Sequence, residues 1–204
     1  MRLHTLMRPW HLHRLRDPAW RTLFEERGDE YVSLDCETTS LNVGEAELLS
    51  IGAVKLRGNR ILTSEALYLL VRPQTPPEKP NIEVHGLRRC DVDQGLSAEE
   101  AVLRLLDFIG GRPLLGYYLE YDVAVLDKYV KPLIGCPLPQ RQIEVSGCYY
   151  DYKLRQNPNS YVDLRLASLH AELGVPQLPR HDALNDAISV AMLYLALCQR
   201  SGRR

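Results

Sequence analysis

The 204-residue sequence has no apolar run long enough to span a bilayer, no Cys-x-x-Cys pair, no internal repeat and no long linker. The first absence argues against a membrane-spanning helix, which needs roughly 20 consecutive apolar residues. The second removes the usual zinc and redox signatures. The five cysteines, Cys36, Cys90, Cys136, Cys148 and Cys198, are odd in number and scattered, so no disulfide framework is expected and a reducing, cytoplasmic setting fits. A positive charge balance is missing too: 25 Lys and Arg against 26 Asp and Glu leave a formal charge of −1. That excludes a broadly basic protein that coats nucleic acid. It leaves room for an enzyme that grips a chain end through metals and a local patch. With no repeat or linker, this length points to one main domain with a sizeable core.

Acids are missing from residues 1–16, which carry Arg2, Arg8, Arg14, Arg16 and three histidines. The segment is poor in serine and lacks a secretory apolar region, so a surface-packed extension is expected rather than a targeting peptide. His11 and His13 read as exposed, solvated residues. Asp17-Pro18 reads as a helix cap followed by proline at the first helical position. The helix Ala19–Arg27 would bury Trp20, Leu23 and Phe24 and end at Gly28. Residues 1–29 are thus expected to form a helical extension, and 30–204 the main domain.

The main domain starts with strands. Tyr31 to Thr39 is a short apolar run that turns polar. After a turn around Asn42–Gly44, Leu48–Leu56 is a second strand. Gly58-Asn59 is a hairpin turn, and Ile61–Val71 a third strand. Arg72–Pro80 is a proline-rich loop. Ser97-Ala-Glu-Glu100 is a capping box that opens a helix through Ile109. Leu114 belongs to a short buried strand over Pro113–Tyr117, and Asp122–Val130 is helical. A proline-rich loop is expected over Pro132–Pro139 and a strand over Gln142–Val145. Tyr149–Tyr152 is a tyrosine cluster that suits either packing or base stacking. Helices follow over Leu164–Leu173 and Ala183–Gln199. The expected class is α/β: a mixed sheet flanked by helices.

The chemistry sits where that pattern changes. Asp35 and Glu37 are two apart on a strand, so their side chains share a face while Cys36 points the other way into the core. Two carboxylates so close repel each other unless a cation or shared proton relieves them, and hard divalent ions prefer oxygen ligands. Asp122 stands at the start of a helix after a buried strand, where the helix dipole alone would also favour an acid. Asp186 lies one turn into the last helix. Asp182 fits the N-cap of that helix, and His181 precedes it. Four carboxylates can hold two Mg²⁺ ions ~3.5–4 Å apart, the two-metal arrangement for in-line displacement at phosphorus. An unperturbed imidazole, titrating near ~6.5, can take a water proton at cellular pH.

The order Asp35-x-Glu37-Thr38-Thr39, Asp122, then His181-x-x-x-x-Asp186 resembles the DnaQ-like 3′–5′ exonucleases of the DEDDh branch, over about Glu30 to Leu197. The resemblance implies a ribonuclease-H-like fold and two divalent ions, Mg²⁺ or Mn²⁺, on Asp35, Glu37, Asp122 and Asp186. It makes His181 the general base, places Asp35 between the ions and puts Glu37 on the side of the attacking water. It also implies substrate contacts from Thr38, Thr39, Val84, His85 and Tyr118, the second pair within a Val-His-Gly-Leu stretch. The substrate would be a DNA or RNA 3′ end, single-stranded DNA first, with RNA trimming and a non-catalytic binding module as alternatives. Two positions depart from the family pattern: Ser40 stands where glycine is common, and Tyr118 where asparagine is. The chain ends soon after the last helix, so a free-standing repair or processing nuclease is expected rather than a polymerase-bound subunit. The extension leaves a homodimer open.

Overall fold

A computed structural model of the chain describes residues 10–75 and 86–202. Three antiparallel strands, β1 (Glu30–Thr38), β2 (Leu48–Arg57) and β3 (Arg60–Leu70), form the meander that the alternating pattern predicts. Gly58 makes the turn between β2 and β3 at φ +55, a left-handed conformation that glycine adopts without penalty. Then come α1 (Arg89–Val92), α2 (Ala98–Ile109), β4 (Leu114–Gly116), α3 (Leu119–Ile134), β5 (Gln142–Glu144), α4 (Val145–Gln156), α5 (Leu166–Leu173) and α6 (Ala183–Arg200). The sheet order is β3-β2-β1-β4-β5, with β1, β4 and β5 parallel. This is the expected mixed sheet flanked by helices.

Alternation along β1 decides what each face meets. Val32, Leu34 and Cys36 pack into one core with Leu105 of α2 and Leu126 of α3. On the other face, Tyr31 packs with Val54, Leu56 and Ala191 of α6. Asp35 and Glu37 are in register with this second set, at the carboxyl end of β1 where it borders parallel β4. In open α/β sheets, ligands bind at such an end.

Capping chemistry was legible. Ser97 and Glu100 form the reciprocal capping box of α2, and the Asp182 side chain accepts the Asn185 N–H at the start of α6. Gly174 ends α5 in the left-handed conformation. Three expectations need correction. The segment after Asp17 is a 3-10 helix over Pro18–Phe24 rather than an α-helix to Arg27, although Asp17 caps it and Leu23 is buried. Helix α3 starts at Leu119 and passes through Pro132 to Ile134, where a loop was expected. Burial of Val130 and Ile134 offsets the one hydrogen bond that the proline forfeits. His11, expected to be exposed, is buried. The tyrosine cluster lies on a helix, with Tyr149 buried and Tyr150 exposed on α4. That helix is polar over most of its surface, so it has little apolar periodicity to read.

Residues 10–29 lie against the same body. Leu23 joins the α2–α3 core, and the Arg16 N–H donates to the Ile134 carbonyl at 2.9 Å. None of the five cysteines is in a disulfide, and Cys36 and Cys136 are buried. Among the described residues, no helix is long and apolar enough to cross a membrane.

Candidate active site

A cavity of about 290 Å³ at the carboxyl end of β1 is lined by Asp35, Glu37, Asp122, His181 and Asp186, the five residues that the family resemblance implies. Each arrives by a different route. Asp35 and Glu37 come from the strand. Asp122 comes from the first turn of α3, and its Oδ1 accepts the Cys36 N–H at 3.1 Å, which ties helix to strand. Asp186 sits in the first turn of α6, and its Oδ2 accepts the His181 N–H at 2.9 Å. That bond holds His181 at φ +61, a left-handed backbone that a non-glycine residue rarely adopts. His181 is exposed at the mouth.

Gly52 makes this convergence possible. It pairs with Asp35 across the β1–β2 ladder, and a Cβ built on it would lie 2.2 Å from the Ala183 carbonyl carbon. The missing side chain lets the start of α6 rest directly on β2, beside Asp35. A glycine inside a strand often marks such a close backbone approach, and Ile51-Gly52-Ala53 was the available signal.

The electrostatics are those of buried acids, with like charges crowding them further. Burial pushes Asp35 well above the usual carboxylate range, and Asp122, Asp186 and Glu37 add to the push. Burial also raises Asp122, against the Cys36 N–H bond that favours its charged form. Glu37 is raised from 4.5 to about 7 by burial first, then by Asp186 and Asp182. Burial raises Asp186 too, opposed by the His181 N–H. Donor atoms of Glu37, His181 and Asp186 all lie within 4.8 Å of one another. Asp35 and Asp122 line the same cavity outside that close group.

The outer contacts divide. Thr38 lines the cavity, and its hydroxyl is 2.6 Å from the Tyr121 hydroxyl. The Tyr121 hydroxyl donates to the Ser40 carbonyl, which also accepts from Thr38 Oγ1 at 3.1 Å. Tyr121 thus fixes the start of the β1–β2 loop, a task that the sequence did not suggest. Thr39 is not among the lining residues. Its N–H donates to the Glu47 carbonyl and its hydroxyl accepts the Glu47 N–H, both at 3.0 Å. Tyr118 stands exposed on the rim at φ +61. Val84 and His85 lie outside the described residues.

A family model for exonucleases, of the RNase T type, matches residues 32–194. The chain belongs to this exonuclease family. It is similar to the PolC-type DNA polymerase III of Thermotoga maritima, at 26% identity over 88% of the chain but only 13% of that protein. It is 29% identical to the DNA polymerase III epsilon subunit of Haemophilus influenzae, covering 81% of the chain and 66% of the subunit. The fold matches that of E. coli exonuclease I bound to a dT13 oligonucleotide, with a TM-score of 0.72 at 14% identity. That match covers 86% of this chain and 42% of the other. The exonuclease thus has the ribonuclease-H-like fold and the DnaQ-like family membership that its three motifs imply.

Proposed function

We propose that this exonuclease hydrolyses the 3′-terminal phosphodiester of single-stranded DNA and releases nucleoside 5′-monophosphates. The observation that carries the reading is the gathering of four carboxylates and one imidazole around a single cavity of about 290 Å³. The donor set fits hard divalent cations: it is rich in carboxylate oxygen, and burial first, then the neighbouring acids, push its carboxyls up, so a bound cation would relieve them. We assign Asp35, Glu37, Asp122 and Asp186 as ligands of two such ions, Mg²⁺ or Mn²⁺, which when bound supply an acidified water and compensate phosphate charge.

His181 is assigned as the general base. Its imidazole takes the proton of the attacking water while the water oxygen bonds to phosphorus. The bond from phosphorus to the 3′-oxygen of the preceding nucleotide then breaks. The His181 N–H to Asp186 bond keeps the ring at the mouth, beside Glu37. Thr38, on the cavity wall, and Tyr118, on its rim, are the substrate contacts assigned among the described residues. DNA is favoured because the similar proteins are named as DNA polymerase III components and because exonuclease I was captured on a deoxyoligonucleotide.

Purified protein with Mn²⁺ should shorten 5′-labelled single-stranded DNA from its 3′ end. Asp35→Asn should abolish this, and His181→Ala should lower kcat by ~10²–10⁴-fold. Untouched 3′ ends on both DNA and RNA would overturn the assignment. Faster digestion of a matched RNA would move it to RNA.

A further inference from the structure

A cluster of basic side chains in this nearly neutral chain lies away from the catalytic cavity. A second cavity, of about 480 Å³, lies at the far end of α3 between Trp10, Arg14, Arg16 and Lys131, floored by the turn at Gly135. No acid lines it. The Arg14 guanidinium lies 4.5 Å from the centroid of the Trp10 ring, and Trp10 remains 50% exposed. Among the described residues, no carboxylate ion-pairs with Arg14 or Arg16, while Lys131 has Asp127 at 3.4 Å. The negative end of the α3 dipole favours all three cations, but it carries only about half a unit charge against three positive ones.

The groove is built rather than incidental. Gly135 turns at φ +90, where a Cβ would lie 2.2 Å from the Arg14 carbonyl oxygen. The Arg16 N–H is bonded to the Ile134 carbonyl. The arginine-bearing backbone is therefore pinned against the end of α3. Half-exposed indole, two arginines with no ion-pair partner among the described residues and a lysine form an aromatic platform inside a cationic groove, the arrangement that holds single-stranded nucleic acid without reading sequence.

We propose that this groove is a second contact for a nucleic-acid strand. One base stacks on the exposed part of the Trp10 ring, which Arg14 and His11 flank, and neighbouring phosphates lie against Arg14, Arg16 and Lys131. The proposal rests on the nucleic-acid reading given above. Asp122 and Gly135 are 13 residues apart on one helix axis, about 20 Å at ~1.5 Å per residue. A dinucleotide at the catalytic cavity cannot reach the groove, whereas a long strand can touch both.

The test reads binding without turnover. The full chain, in chelator, is titrated with a labelled single-stranded DNA of about 20 nucleotides, a site size in the range of such grooves. The chain has two tryptophans, so Trp20→Phe leaves Trp10 as the only indole. Saturating oligonucleotide should quench that emission. Arg14→Gln with Arg16→Gln should weaken binding about tenfold or more and flatten the salt dependence of log K by ~1.4, at ~0.7 per single-strand phosphate contact. The same double variant should hydrolyse a dinucleotide as the wild type does, so a failure of the catalytic reading would show separately. An unchanged salt slope with unquenched Trp10 would overturn the proposal. So would inorganic phosphate or an acidic peptide binding at the groove as tightly as the oligonucleotide. If the double variant is misfolded by circular dichroism, Lys131→Gln provides the same comparison, with an expected slope change of ~0.7.

Discussion

Replacing Glu37 with Gln should stabilise the metal-free protein while destroying its activity. Glu37 titrates near 4.5 in an open chain and at about 7 in the fold, because burial and the Asp186 and Asp182 carboxylates disfavour its charge. A carboxyl raised in this way costs nothing below its unfolded pKa, and the cost grows as pH climbs to the folded pKa. At ~1.36 kcal/mol per pKa unit, the penalty is about 3 kcal/mol at pH 8 and under ~1 kcal/mol at pH 5. Glu37 keeps some solvent contact, which screens the interaction, so ~1–2 kcal/mol at pH 8 is the expected size. For a chain of this length, ~2–4 °C of Tm accompanies each kcal/mol. Thermal unfolding by circular dichroism in chelator should therefore place Glu37→Gln about 3–7 °C above wild type at pH 8, with the gap nearly closed at pH 5. Adding Mg²⁺ or Mn²⁺ should raise the wild type and leave the variant behind, reversing their order at pH 8. An equal Tm at pH 8, or a gap that does not change with pH, would refute the view of this cavity as a cluster of strained like charges.

Two further substitutions probe how the cavity is held. Gly52→Ala places a methyl 2.2 Å from the Ala183 carbonyl carbon, so the start of α6 must shift. A stability loss of ~1–3 kcal/mol by urea unfolding is expected, together with a fall in kcat as His181 and Asp186 move; unaltered turnover would show that their placement does not depend on this contact. Tyr121→Phe removes the hydroxyl that joins Thr38 to the Ser40 carbonyl. It should cost about 1 kcal/mol and raise KM for oligonucleotides more than it lowers kcat, and a KM equal to wild type would mean the loop holds itself.

The site was more legible than the scaffold because its signals are short-range. A strand fixes side-chain direction at a period of two, so Asp35 and Glu37 had to share a face, and Cys36 had to enter the core beneath them. A cap binds within three residues of itself, so Asp182 could be separated from Asp186 by position alone. Features that depend on distant chain were hidden. Pro132 looks like a helix breaker until Val130 and Ile134 are seen buried in the core, and α4 has too little apolar surface to announce itself. Thr38 and Thr39 look equivalent in sequence, yet the ladder slips between Glu37 and Thr38. Thr38 then faces Tyr121 and the cavity, while Thr39 is occupied by Glu47. Gly52 is the sharpest case. Nothing local demands a glycine there, since the strand would accept alanine at that position. The demand comes from a helix that starts 131 residues later, at Ala183, whose first turn carries one carboxylate and follows the imidazole. A strand residue with no side chain thus does as much to assemble the cavity as the acids themselves, by letting two segments remote in sequence touch.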